Sequence, residues 1–239
     1  MIIPVFFVIH WYLSFFLQSF FHHRYAAHQH FFMSKRTEKF FYMLCFLVHG
    51  SSYMSPYAYG VMHRLHHIHT DTEEDPHSPH NEPNFFRLLL VTRNNYQKVY
   101  TSNLNVAIKL TKKLPQWNSF ESFAHNWITR ATWIIAYTTF YILFATQWWM
   151  YLLLPITVTM AAFQGNIINW WAHKFGYTNY RMKNTSKNIL PIDFIFIGDA
   201  YHNNHHKFPG RVKNSSKWFE TDLIYQIINF MSKLKIVRW

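Results

Sequence analysis

Long apolar stretches alternate along this chain with strongly polar ones. The first, MIIPVFFVIHWYLSFFLQSFF at residues 1–21, carries no charge and is about the length of a bilayer crossing. A cleaved signal peptide suits it poorly, because it has no basic start and no small-residue cleavage site before His22. Residues 131–145 and 148–168 form two further apolar runs, separated only by Thr146 and Gln147. They predict a tight helical hairpin with Trp148 and Trp149 at the far interface and a kink at Pro155.

The segment 40–60 reads differently. It begins as FFYMLCFLV and then carries His49, Gly50, Ser51, Ser52, Ser55 and Pro56, a poor composition for a lipid-facing crossing. Histidine-rich stretches flank it at 22–30 and 63–69, and a full crossing would hold them about 30 Å apart. If the two stretches share a site, the segment must dip in and return, or lie in the interface. The pattern therefore predicts an all-α integral membrane bundle: three crossings, a fourth hydrophobic element that does not span, and a water-facing helical cap. The stretch 81–127 is expected to be partly helical under that cap. At 239 residues, one domain over 1–239 is the natural reading.

Charge adds orientation. The formal net charge is +12, yet Lys and Arg are absent from residues 1–23 and 131–173. The positive-inside rule then puts the polar stretches, and any site built on them, in the cytoplasm. A basic surface suits an anionic membrane face or an anionic substrate. A nucleic-acid binder would not need the apolar blocks, so no nucleic-acid partner is expected. Cys45 is the only cysteine, which excludes an intrachain disulfide and a cysteine-built metal site. Any metal must rest on histidines and carboxylates.

Of the 17 histidines, twelve fall in three tight clusters near the predicted cytoplasmic boundary. HHRYAAHQH, at 22–30, is weak evidence alone, since imidazole is comfortable at an interface. HRLHHIHTDTEEDPH is stronger. His63, His66 and His67 stand at i, i+3 and i+4, so a helix presents three imidazoles on one face. Asp71, Glu73, Glu74 and Asp75 follow, and read first as a solvated turn, with Asp75 the best candidate to take a ring N–H from a ligating histidine. GDAYHNNHHKFPG repeats the triplet with His202, His205 and His206, too much coincidence for surface decoration. Asn169 and His173, at i and i+4 in NWWAHKFG, emerge from the last apolar run at the same level.

Clusters of this size exceed the four to six ligands of one ion, so two ions are implied. Structural zinc favours closed four-coordinate sites, often with cysteine, whereas imidazole also suits iron, and iron with open positions activates oxygen. Soluble di-iron carboxylate proteins use Glu and Glu-x-x-His on bundle helices, which this chain lacks. What remains is a histidine-rich di-iron centre at a membrane surface, where the natural substrate is a lipid.

HRYAAH, HRLHH followed by TDTEEDPHSP, NWWAH, YHNNHHKFP and the later WFETDLIY together resemble the membrane acyl-CoA desaturases, the stearoyl-type delta-9 enzymes and their bacterial relatives, from about residue 10 to the C-terminus. The resemblance implies nine histidine ligands for two iron ions: His23, His28, His63, His66, His67, His173, His202, His205 and His206. Asn169 matches a position that holds a metal through water. His22, His30, His69, His77 and His80 match no ligand position. The implied reaction uses dioxygen and two external electrons to remove two hydrogens from adjacent methylenes, giving a cis double bond and water. Phe7 and Trp11 resemble positions that close the end of a substrate tunnel, although packed aromatics are the plainer reading. The implied partners are membrane lipid, a separate electron donor such as a ferredoxin or b-type cytochrome, and a fatty acyl chain carried by CoA, acyl carrier protein or phospholipid. Ahead of His63, AYGVM lacks the charged pair that meets CoA in animal members, so the carrier stays open. The implied location is a bacterial inner membrane.

Two rival readings frame the test. A membrane hydroxylase could share the histidine arrangement and insert one oxygen instead. A histidine-rich metal transporter would need polar ligands at the bilayer midplane, where only His10 lies.

Overall fold

The computed structural model describes residues 1–102 and 106–239. α1 (Ile2–Leu17) runs without a break into a π-helical stretch, Gln18–Ala27. A short pair of antiparallel strands, β1 (Phe32–Met33) and β2 (Val237–Arg238), ties the region after it to the C-terminus. α2 (Lys35–His49) starts at Ser34, whose hydroxyl accepts the Thr37 N–H as a cap. It stops at Gly50, where φ is +51° and an added Cβ would collide with the Tyr137 hydroxyl. After one turn of 3₁₀ helix, α3 (Pro56–His69) begins with Ser55 as N-cap and Pro56 in its first turn, where no N–H is needed. Segment 40–60 is thus two helices joined by a reversal, and the reversal brings α3 back alongside the π-helical stretch.

α4 (Phe85–Tyr100), α5 (Ile108–Thr111) and α6 (Asn118–Ala124) fill the stretch expected to be partly helical. α4 packs on α3 and α9 and so closes one wall of the site. Next come α7 (Trp127–Phe144), a 3₁₀ turn at Trp148–Leu153, α8 (Leu154–Val158) and α9 (Met160–Trp171). The bend in this last apolar run measures 80°, and it falls between Val158 and Met160, not at Pro155. Pro155 sits in the first turn of α8, where its missing N–H costs nothing. The chain breaks instead at Thr159, whose hydroxyl donates to the Pro155 carbonyl. α10 (His202–Lys207) and α11 (Leu223–Lys233) complete the chain.

Among the described residues, one helical unit, Ile2–Ala27, is long and apolar enough to cross a membrane. The bent Trp148–Trp171 pair would be a second if it is one broken span. α7 has 18 residues but carries Arg130 and several Thr and Tyr.

The core is aromatic. Phe20 meets Phe31 and Phe41 with ring centroids 4.8 and 4.9 Å apart, and Phe21 stacks on Tyr25 at 5.4 Å. Polar groups inside the apolar helices are paired across helices: Ser14 donates to Gln164 Oε1 at 2.8 Å, and Gln164 donates to the Trp11 carbonyl at 2.9 Å. Arg24 is fully buried and donates to Asp222 Oδ1 at 2.9 Å and to the Val212 carbonyl at 2.6 Å. This anchors the first helix to the N-cap of α11.

Candidate metal centre

Two kinds of helix deliver the histidines. On α3 the i, i+3, i+4 spacing places His63, His66 and His67 on one face, and α10 does the same for His202, His205 and His206. His23 and His28 are five residues apart, which on an α-helix would splay their rings. The π-helix closes hydrogen bonds between i and i+5, seen here in His28 N–H donating to the His23 carbonyl at 3.0 Å. That winding returns both rings to one side, with centroids 4.9 Å apart. His173 arrives from the end of α9.

The rings converge in two groups. In one, His23, His28, His63 and His205 each offer a nitrogen within 4.8 Å of the others; in the second, His66, His173, His202 and His206 do the same. His67 sits between them, its Nε2 3.0 Å from that of His63 and 2.9 Å from that of His205, and its ring stacked 4.5 Å from His206. All nine histidines read from the sequence are therefore brought to one place.

Burial, followed by crowding from the neighbouring rings, pushes His28, His63, His67, His202, His205 and His206 well below the usual imidazole range, so the rings are neutral. A neutral ring has one N–H. His66 donates from Nδ1 to Asp75, at 2.9 Å, and the Nδ1 of His173 lies 3.1 Å from Asp71. The Nε2 lone pairs of these rings then face other Nε2 atoms: His66 to His206 at 3.2 Å, His173 to His202 at 3.1 Å. Facing lone pairs repel unless a cation lies among them, and this donor set fits one of the transition metals that imidazole favours.

Three aspartates stand behind the rings. Burial would raise Asp75, but the hydrogen bond and charge of His66 outweigh it and hold the carboxyl below the usual range. Asp71 follows the same logic: burial opposes ionisation, and His173 and Thr185 bring it down to about 2. Asp199 reaches toward His23 Nδ1 at 3.7 Å and accepts from Ser19 at 2.8 Å. Asp75 could be picked out from the sequence. Asp71 was one of four acids in a turn, and its partner His173 lies a hundred residues away. Asp199 stood within the third motif with nothing to mark it.

A cavity of about 510 Å³ opens onto this cluster. His23, His63, His202 and His205 line it, as does Asn169, and its other walls include Phe15, Ile134, Ala162 and Gly165. Phe7 and Trp11 do not line it. Their rings lie 6.4 Å apart on α1, and Trp11 donates to the Ile195 carbonyl, the packed-aromatic arrangement. His77, which matched no ligand position, lies 4.6 Å from the His66 ring and lines the cavity, with neither ring nitrogen hydrogen-bonded.

Helices, converging imidazoles and a mainly apolar cavity define a class: helical proteins with a histidine cluster suited to metal beside room for an apolar guest. Sequence comparison narrows it. The profile described as fatty acid desaturase matches residues 1–226, and the chain belongs to that family. It is accordingly an oxidoreductase of fatty acid metabolism. It is similar to the delta-9 desaturase-like 5 protein of Arabidopsis thaliana, 27% identical over 225 residues, covering 90% of this chain and 69% of that protein. Delta-9 acyl-lipid desaturase 1 of the same plant is 27% identical over 213 residues, covering 88% and 66%. The sn-1 stearoyl-lipid 9-desaturase of Synechocystis sp. is 24% identical over 185 residues, covering 74% and 53%.

Proposed function

We infer that this chain is an oxygen-dependent desaturase that introduces a cis double bond, at the delta-9 position, into a saturated acyl chain. The reading rests foremost on one observation: two sets of four imidazoles face inward at the cluster onto which a mainly apolar cavity opens. His23, His28, His63 and His205 would hold one iron, and His66, His173, His202 and His206 the other. His67 would serve as the ninth ligand, and Asn169 would act through a water. Bound iron supplies the chemistry: dioxygen, two electrons and two protons are converted to two waters as adjacent methylenes each lose a hydrogen.

The protein's own part is positioning. An unactivated methylene offers no polar handle, so selectivity must come from holding the chain in one pose, with a single carbon pair against the cluster. Ile134, Ala162 and Gly165 give the wall its apolar shape, and α4 closes its side. Asp75 and Asp71 keep protons on Nδ1 of His66 and His173, which leaves Nε2 of each ring free to bind metal.

The names of the relatives favour an acyl lipid as substrate over an acyl-CoA or acyl carrier protein thioester. Arg93, on the cavity wall, offers a cation to an anionic head group. We read 1–239 as one domain, crossing a bacterial inner membrane several times with the cluster on the cytoplasmic side. Electrons would come from a separate ferredoxin or b-type cytochrome.

Expression in a bacterial host fed saturated fatty acids tests this reading. New monoenes with the double bond at carbon 9 are expected in the host lipids. Hydroxylated chains in their place would transfer the reading to a hydroxylase, and unchanged lipids with an active electron donor present would end it.

A further inference from the structure

A second set of metal-binding atoms lies in the core, apart from the nine-histidine cluster. His22, Cys45 and His49 each offer one donor atom, and the three atoms lie within 4.8 Å of one another. All three residues are fully buried. His22 is next to His23 in sequence, but its ring is turned to a different neighbour: His22 Nε2 lies 3.0 Å from the Met54 carbonyl, whereas His23 Nε2 faces His205. His49 Nε2 likewise lies 3.2 Å from the Ser14 carbonyl. A carbonyl can only accept, so the neutral His49 ring carries its proton on Nε2 and its Nδ1 is left with an unshared lone pair; His22 Nε2 donates to Met54 in the same way. Neither Nδ1 makes a well-formed hydrogen bond, although the Leu17 carbonyl also approaches the His22 ring, and Cys45 is a free thiol.

Buried polar atoms without partners are uncommon, and two on rings grouped with one thiol call for an explanation. The His49 tautomer is already that of a metal-ligating histidine, in which the outer N–H is held by a backbone carbonyl and the inner nitrogen is bare. We propose that His22 Nδ1, His49 Nδ1 and Cys45 Sγ form a separate site for one soft transition-metal cation, copper(I) by preference. Thiolate with imidazole is the donor mixture that copper(I) and zinc accept. Charge favours the former, because two neutral imidazoles, one thiolate and a monovalent cation sum to zero, the only balance that avoids burying net charge in an apolar core. Binding is a simple exchange: Cys45 Sγ–H gives its proton to solvent as the copper–sulfur bond forms, and no electron moves. Access is short, since the Tyr59 ring lies against His22 at 5.4 Å and also lines the cavity. The proposal does not rest on the desaturase reading.

Full-length protein, purified in detergent and first loaded with iron, is titrated anaerobically with copper(I) against a copper(I)-selective colorimetric chelator. One tightly held equivalent is expected. Cys45→Ser and His49→Ala are each expected to lower that affinity about tenfold or more. A second measurement needs no variant: cobalt(II) added to the wild-type protein is expected to give a thiolate-to-metal charge-transfer band. The nine-histidine cluster cannot produce it, because Cys45 is the only cysteine. Three results would each overturn the site: no copper(I) uptake by the wild type, an equivalent that persists in both variants, or a cobalt spectrum without the thiolate band.

Discussion

His66 and Asp75 are nine residues apart in sequence and 2.9 Å apart in the folded protein, Nδ1 to Oδ2, with both side chains buried. The same carboxylate accepts the backbone N–H of Asp71 and of His77, so one side chain fixes both the turn after α3 and the proton on His66.

Asp75→Ala is therefore expected to weaken iron binding about 10- to 100-fold, as loss of a ligand's carboxylate partner generally does. Asp75→Asn, whose carbonyl still accepts from Nδ1, should recover part of the loss. Iron content after dialysis against a graded chelator series separates the two variants; equal retention in both and in the wild type would count against the role.

His66→Ala and His205→Ala strike different histidine groups. Gently purified wild-type protein should carry about two irons per chain, and each variant should lose metal together with desaturation. One firmly held zinc, with full activity in both variants, is the result that would refute the di-iron reading.

Metal removal should also cost stability. Without a cation the Nε2 atoms of His28 and His63 are left 2.7 Å apart in a buried site, where unrelieved polar contacts are expensive. Chelated protein is expected to unfold at lower temperature than the iron-loaded form, as any ligand held only by the folded state requires. Matched melting curves in one detergent check this.

Ala162 on α9 lines the cavity, and Ala162→Phe would fill part of it. Turnover of long saturated chains should fall before that of short ones, read by feeding an expressing host a mixture of chain lengths. An unchanged product profile would mean that the acyl chain lies elsewhere.

Arg24 is fully buried, with Asp222 at 2.9 Å and Asp199 at 3.6 Å, so Asp222→Ala would remove its nearer and hydrogen-bonded counter-charge. A loss of about 3–5 kcal/mol is expected. Thermal or denaturant unfolding measures it, and a change under 1 kcal/mol would show that the pair is dispensable.

The site was legible in the sequence wherever histidine spacing matched the helix that carries it. The triplets His63, His66, His67 and His202, His205, His206 repeat at three and four, the period of an α-helix, and both lie on α-helices. His23 and His28 gave a weaker signal because their spacing of five has meaning only on a π-helix, a winding too rare to assume. The aspartates behind the rings were harder again, since Asp71 and His173 meet only through the fold. That segment 40–60 must return, or lie in the interface, followed from the histidine stretches on either side of it, but the break at Thr159 could not be foreseen, because Pro155 was the louder signal in a stretch that tolerates it. Cys45 was informative only as an absence of disulfides; His49 stands four residues on along the same helix, but His22 comes from another.

The π-helical stretch also makes the chain's first metal-facing element sensitive to length. A π turn holds one residue more than an α turn, so deleting a single residue between Gln18 and Arg24 would let the helix relax to ordinary winding while keeping nearly every side chain. His23 and His28, still five residues apart, would then point about 140° apart. Insertions and deletions in this segment are thus a harsher filter on the enzyme than substitutions, and a family member one residue shorter here would have to recruit its second imidazole from somewhere else.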